Sequence, residues 1–533
     1  MKNNKYFFIG LLLSASMSGA VSSNTNCSPN FNCSSTSDNC NVSANISASC
    51  SPGCSFSTAT TSYCGSYAST NCEYTNYRPG YILRPFTADN TLELAVFDYD
   101  VYHRAERGED RPMVDFQATY FHRGSRSKTT GAGLYLGKNS FSVKQDGTGD
   151  INSAWLNLLN AKGDYSSTFS YNPKYKVDGA YLGARFDLSD WACGLWGSAS
   201  SAFVRIKNTV KICTDGNIAD VNCNDCCTAS NTVQETLGNR LGLTNNASNG
   251  QMFIDDVQFK LGYDHYIGED NHIGLYLVGT APTRRSQTNY TNDGELAFAH
   301  LISGRGSFGV GLNTDWTAWA CNDHSLNWLM DLKYRYVFRG FEKRHFDLKN
   351  GALSGYVLQG VTSDAVLNGS GSLLQNALLL PVKVTPGSTV DLWTALHYQF
   401  CNYGIEFGYD LFWIGQEKVT LRQNLQSGIG IFDYNGLKAG AVAVSDSANA
   451  VITGVAAHSS DASFTALTNA NLAFASATTK RAISHKFYLA LSHEKDYFCG
   501  PVNMSVGGEY EYASKSQPII SQWGLFIKSS MNY

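Results

Sequence analysis

The sequence predicts an all-β fold: a closed antiparallel barrel of about twelve strands, with room for up to sixteen, that crosses a membrane. Three observations predict it. Segments of about ten residues or more alternate apolar and polar side chains with a period of two. Turns of a few residues join them at one end and loops of 22 to 65 residues at the other, and aromatic residues collect near both ends. Composition agrees: of 533 residues 13% are aromatic, 49 are Gly and 11 are Pro, which suits strands better than helices. A net charge of −4 gives no reason to expect nucleic acid as a partner.

Residues 1–20, "MKNNKYFFIGLLLSASMSGA", read as an export signal. Lys2 and Lys5 form the basic region, Tyr6 to Leu13 the apolar core, and Ser18, Gly19 and Ala20 the cleavage site. That apolar run is too short to span a bilayer, so export is expected. Residues 21–80 hold seven of the chain's 15 cysteines (Cys27, Cys33, Cys40, Cys50, Cys54, Cys64, Cys72) among Ser, Asn and Thr. With almost no large apolar side chains this segment cannot build a core of its own. Fifteen cysteines in an exported chain indicate disulfides before metal. Residues 81–111 follow as a linker, or as a periplasmic or plug segment, and 112–533 form the barrel.

Within the barrel the alternation is clearest in "LNWLMDLKYRYVFR". Trp328, Met330, Leu332, Tyr334, Tyr336 and Phe338 share one face, and Asp331, Lys333, Arg335 and Arg339 the other. "DVQFKLGYDH", "YGIEFGYDLFW" and "VNMSVGGEYEY" repeat the pattern. The turns at 189–194, 268–271, 321–324, 401–402 and 497–501 place strands near 112–124, 176–188, 195–208, 254–267, 272–281, 304–319, 325–339, 389–400, 403–415, 481–495, 502–513 and 519–533. A soluble β-sandwich would alternate too, but it would mix loop lengths at both ends, and long structureless loops are rare in soluble domains.

The last strand, "QWGLFIKSSMNY", puts Trp523, Leu525, Ile527, Met531 and Tyr533 on one face, interrupted by Ser529. This resembles the terminal signal of Gram-negative outer-membrane barrels, whose final aromatic faces lipid and is read by the assembly machinery. The architecture resembles the outer-membrane porins. Its cysteines resemble those of the cysteine-rich major outer membrane proteins, although no family-specific motif is matched. The resemblance implies a place in the outer membrane, with short turns periplasmic and long loops extracellular. It further implies passive diffusion of small hydrophilic solutes, often through a trimer, in a barrel cross-linked by disulfides within itself or to envelope partners, and without a cofactor.

The expected pore lining is the charged inner face: Lys333, Arg335, Arg339, Asp391, Glu406, Asp410, Glu509 and Glu511. The basic stretch 339–351 either folds into the lumen opposite those carboxylates or is a solvated loop. Cys193, Cys321, Cys401 and Cys499 fall in or beside four of the five short turns and are candidates for disulfides with one another or with the cysteine-rich segment, expected on that same side. Cys213, Cys223, Cys226 and Cys227 share one long loop and are read as two disulfides, since a second CxxC for a metal site is missing. "GRGSFG" (304–309) lacks the following helix of a dinucleotide site and is read as strand glycine. No nucleophile or metalloprotease motif gives positive evidence for an enzyme. Two other readings stand beside the porin: a structural or adhesive surface barrel closed by a plug, and a gated transporter for specific apolar solutes.

Overall fold

A computed structural model describes residues 76–77, 82–96, 114–125, 140–144, 148–149, 151–152, 166–216, 248–268, 271–283, 300–301, 304–321, 324–349, 360–361, 374–434, 462–497, 500–514 and 518–533. The chain divides into two units, Met1–Ser69 and Thr70–Tyr533, and all described residues belong to the second. The expected signal and the cysteines from Cys27 to Cys72 lie outside the described residues, as do Cys223, Cys226, Cys227 and Cys499.

Twelve strands form the wall: β1 (Val114–Ser125), β2 (Ser166–Asp187), β3 (Leu195–Gly216), β4 (Val257–Tyr266), β5 (Asn271–Ala281), β6 (Ser307–Cys321), β7 (His324–Val337), β8 (Thr389–Phe400), β9 (Tyr403–Ile414), β10 (Ala482–Tyr497), β11 (Gly500–Tyr512) and β12 (Gln522–Asn532). Each pairs antiparallel with its sequence neighbours, and β12 returns to pair with β1, Ile527 opposite Tyr120. The seam is finished by the terminal residue. Val114 donates its N–H to the Tyr533 carbonyl at 3.1 Å, and Tyr533 donates back to Val114 at 2.9 Å. Closure leaves the wall no free edge, as a hydrocarbon surround requires.

The packing of this wall is inverted relative to a soluble protein. In β4 the outward Phe259, Leu261 and Tyr263 are each half exposed, while the inward Gln258, Lys260 and Asp264 are buried. In β12 Trp523, Leu525 and Ile527 face out, and Gln522, Phe526 and Lys528 face in. Exposed apolar side chains in a continuous belt around buried charges identify lipid as the outer solvent. Among the described residues no helix is long and apolar enough to cross a membrane.

Strand number and face follow the sequence closely; length does not. The β2–β3 hairpin has 22 residues in each strand. It begins at Ser166, ten residues before the expected 176, because the same alternation continues past the apolar belt. The strand Ser248–Ile254 also pairs with β3 and leads into β4 through a bulge. Phe203 faces Ile254 and Ser200 faces Gln258, so β4's side spends one extra residue at Asp255–Asp256.

Two of the long connections build a small sheet together. Gly340–His345 pairs with Leu379–Thr385, which pairs with Lys418–Leu421. Phe346, Leu374, Leu380, Val382, Val419, Ile429 and Leu472 join in one buried apolar cluster beneath this sheet. Residues 340–349 of the basic stretch are thereby drawn into a cap on the long-loop side. Arg344 is buried and donates to Glu342 Oε2 at 2.7 Å and Glu417 Oε1 at 2.8 Å.

An outward position near the middle of a strand should reject charge. Leu275, in the middle of β5 and 67% exposed, is expected to cost about 2–4 kcal/mol when changed to Arg. Leu275→Phe should be close to neutral. Reversible denaturant unfolding in lipid vesicles measures both.

Candidate functional site

The lumen is occupied by the chain itself. Residues Arg84 to Val96, "RPFTADNTLELAV", are all buried inside the barrel. Within them a single helical turn, α1 (Asn90–Leu94), is capped by Asp89, whose Oδ1 accepts from the Thr91 N–H at 3.1 Å. The segment enters from the long-loop end. Asn76–Tyr77 pairs with Lys343–Arg344 of the cap, and Ile82–Leu83 with His300–Leu301. It then descends from partners near the loop-side ends of β8 and β9 to Glu406 near the turn-side end of β9. Asn76–Tyr77, at the end of the cysteine-rich segment expected on the short-turn side, thus has a loop segment as its strand partner, as does Ile82–Leu83.

Most polar side chains of this segment meet a charged or polar group on the wall. Arg84 reaches Asp391 Oδ1 at 2.7 Å and Asp410 Oδ2 at 2.8 Å, with its guanidinium 5.1 Å from the Phe412 ring centre. Asp89 lies between Arg123 Nη1 at 2.8 Å and Lys486 Nζ at 2.6 Å. Glu93 accepts from Lys260 Nζ at 2.6 Å, and Asn90 Oδ1 accepts from Lys333 Nζ at 2.6 Å. Thr91 Oγ1 donates to Asp410 Oδ2 at 3.2 Å. Backbone groups are met as well: Lys528 Nζ donates to the carbonyls of Glu93 and Ala95, and the Val96 N–H donates to Glu406 Oε1 at 2.9 Å. These partners stand on β1, β4, β7, β8, β9, β10 and β12, so the segment is tied to the wall around the circumference.

One side of the segment is apolar. Phe86 stacks on the inward Phe121 with ring centres 5.5 Å apart. Phe121 in turn lies over Gly179 of β2, where an added Cβ would stand 2.4 Å from the ring. No side chain larger than hydrogen leaves room for the ring there. The bulge at Asp255 serves the same segment, because Asp255 Oδ2 accepts from both the Thr87 N–H at 2.9 Å and its hydroxyl at 2.8 Å. Val96, the last described residue of the segment, has φ +50. For a β-branched residue that region is strained, at a cost of order 1–3 kcal/mol.

Of the expected lining, Lys333, Arg335, Asp391, Glu406, Asp410, Glu509 and Glu511 all face inward and are buried. Arg335 pairs with Asp391 at 3.0 Å, and Glu509 accepts from Arg123 at 3.1 Å. Glu511 accepts from Ser484 and Gln522, each at 2.7 Å. Arg339 does not join them. β7 ends at Val337, the alternation ends with it, and Arg339 is exposed beyond. Cys193, Cys321 and Cys401 stand exposed at the turn end with no disulfide partner among the described residues, and Cys213 lies on the loop-side extension of β3. Sequence reasoning missed Arg84, Asp89, Asn90 and Glu93. The available signal was a short charged run ahead of the barrel with Asp89 in N-cap position, within the stretch 81–111 expected only as a linker, or as a periplasmic or plug segment.

Beside Glu93, a cavity of about 30 Å³ is lined by Tyr181, Arg185, Trp196, Lys260, Tyr276 and Asn313 among others, with room for a water or two.

The chain is a transmembrane β-barrel of twelve strands with residues 84–96 inside its lumen. No family model and no curated protein matches it. Among solved structures it is similar to an outer membrane channel from Pseudomonas putida F1 (8% identity over 80% of this chain and 97% of that one, TM-score 0.33). It is also similar to the NanC porin (9%, 78% and 100%, 0.27) and to a deletion mutant of the TodX monoaromatic hydrocarbon channel (9%, 86% and 98%, 0.33). Likeness at this level is confined to barrel form.

Removing one member of a buried ion pair typically costs about 3–5 kcal/mol. Asp89→Leu is therefore expected to loosen the segment while leaving the wall closed. With a reporter at Thr91→Cys, maleimide labelling at position 91, read by peptide mass, should accelerate at least about 100-fold, as 3 kcal/mol implies at 1.4 kcal/mol per decade.

Proposed function

We propose that this protein is an outer-membrane channel for small hydrophilic solutes whose lumen is held shut by residues 84–96: a gated pore in place of a freely open one. The observation that carries the reading is the segment's attachment to seven strands of the wall, with Arg84 and Asp89 each between two buried partners of opposite charge. The wall supports a hydrophilic cargo. Lys260, Lys333, Lys486, Asp391, Glu406 and Asp410 all face the lumen, and a path for apolar solutes would not be lined with charges of both signs. The strain at Val96 supports a segment held under tension by its surroundings.

The choice of ion pairs over apolar packing as the main attachment also supports gating. A mostly apolar plug would gain by burial alone and would not respond to a charged ligand or to salt. A plug held by charge-assisted bonds can exchange each protein partner for a solute ion or for water as it leaves. The folded cap on the long-loop side gives the second reading, a surface barrel with a structural role, its own support: Gly340–His345 and Leu379–Thr385 build on an apolar cluster that a mere pore would not need.

Conductance in a planar bilayer separates these readings. The intact chain should be silent or open only in brief, rare events, and a variant lacking residues 84–96 should give stable steps of fixed size. Stable steps from the intact chain would overturn gating in favour of an open porin. Silence from both forms, with the barrel still heat-modifiable on a gel, would overturn the channel reading and leave the structural one.

A further inference from the structure

The outward wall of the β2–β3 hairpin carries a feature that the lumen does not explain. Beyond the apolar belt the outward side chains of β3 run Phe203, Arg205, Lys207, and those of β2 run Ala180, Asp178, Lys176, Lys174. Phe203 is 45% exposed and ends the apolar run on its strand. Lys174, Lys176, Arg205 and Lys207 are all exposed, and none has an ion-pair partner among the described residues. In register Lys176 stands directly opposite Lys207, and Arg205 opposite Asp178. The one carboxylate is already engaged, since Asp178 Oδ1 lies 2.7 Å from His122 Nδ1.

Two lysines facing each other across a strand pair destabilise the sheet. Four cations with one committed carboxylate leave a surplus of positive charge that an external anion would offset. Height decides which anion. At about 3.4 Å per residue, Arg205 and Lys207 lie roughly 7 and 14 Å beyond Phe203 along the strand, or about 5 and 10 Å closer to the long-loop side at a tilt near 40°. The headgroup layer of a bilayer is roughly 5–8 Å thick on each side. The cations therefore begin where the hydrocarbon ends. Trp523, 44% exposed, shares the register row through Gly124 to Lys176, as expected of an interfacial aromatic. Met252, 80% exposed and opposite Arg205, adds an apolar contact for the chains below.

We propose that Lys174, Lys176, Arg205 and Lys207 form a binding strip for the phosphate groups of anionic lipid in the leaflet on the long-loop side. The proposal rests on the barrel fold and not on the gating reading, so the two fail separately. The strip faces out and runs from the height of the lipid phosphates, at Arg205, toward the long-loop side, with Lys176 and Lys207 next and Lys174 outermost; it has the charge those phosphates need, and the apolar side chains flanking its inner end meet the same lipid's chains. A soluble protein partner would have no reason to prefer a site half sunk in the bilayer boundary.

The test uses the full chain in detergent with lipid A bisphosphate and its dephosphorylated form as probes, and native mass spectrometry counts the lipid retained per barrel. The intact protein should retain the phosphorylated form at least tenfold over the dephosphorylated one. Combined Lys174→Gln, Lys176→Gln, Arg205→Gln and Lys207→Gln should reduce that preference at least fivefold. All four side chains point away from the lumen, and heat-modifiable migration checks that the variant folds. Retention by the intact protein should also fall as salt is raised, a measurement that needs no variant. Equal retention of the two lipids, preference unchanged in the folded variant, or no response to salt would each overturn the proposal. Displacement by millimolar inorganic phosphate would show a site for free phosphate and overturn the lipid assignment.

Discussion

A peptide group in hydrocarbon has no water to bond, and each one left unpaired costs several kcal/mol. The pairing of β12 with β1 is therefore the contact on which the rest of this structure depends. It runs from Gln522 opposite Ser125 to Asn532 opposite Asp115, and the reciprocal bonds between Val114 and Tyr533 complete it. Once the ring is closed, every strand has one face toward lipid and one toward the lumen. A slip of one residue at the seam would exchange the two faces along a whole strand. Register here is held by solvent: Trp523, Leu525 and Ile527 cannot trade places with Gln522 and Lys528 without putting an amide and an ammonium into hydrocarbon.

Closure creates a second constraint inside the ring. The inward face of twelve strands gathers lysines, arginines and carboxylates into a space too narrow to hydrate them as bulk water would. Some satisfy one another, as Arg335 does Asp391 and Tyr276 does Asp331 at 2.8 Å. Residues 84–96 then add a further partner, with an anion for Arg123 and Lys486, an anion for Lys260, and a cation for Asp391 and Asp410. The segment is ordered because the wall is charged, and the wall's charges are tolerated in a closed lumen because the segment is there. Removing either side leaves buried charge without compensation, and that reciprocity underlies the proposed gate, whose position would then depend on ions.

The parts of this molecule legible in the sequence were those governed by a local period. Alternation over ten residues located all twelve strands, and the same parity put Lys333, Asp391, Glu406 and Glu511 on the inner face. Parity failed where a strand stopped or slipped. Arg339 keeps the phase of Lys333 and Arg335 but lies beyond the end of β7, and the extra residue at Asp255–Asp256 is visible only in the pairing of two strands. The cap was illegible for a related reason. Its strands, such as Gly340–His345 and Lys418–Leu421, are short and find their partners dozens of residues away, so no window of sequence contains the pattern.

The sequence by itself determined the class of fold, the number of strands and which side chains face lipid, because a bilayer imposes one rule on every strand and a period of two records compliance. What occupies the lumen was decided only by the tertiary structure. "RPFTADNTLELAV" has the composition of an ordinary connection, and nothing within it says that Arg84 will meet Asp391 and Asp410, more than 300 positions away. Those contacts arise because a closed ring brings distant strands around one axis, and charge complementarity with that ring is a property of the assembled wall.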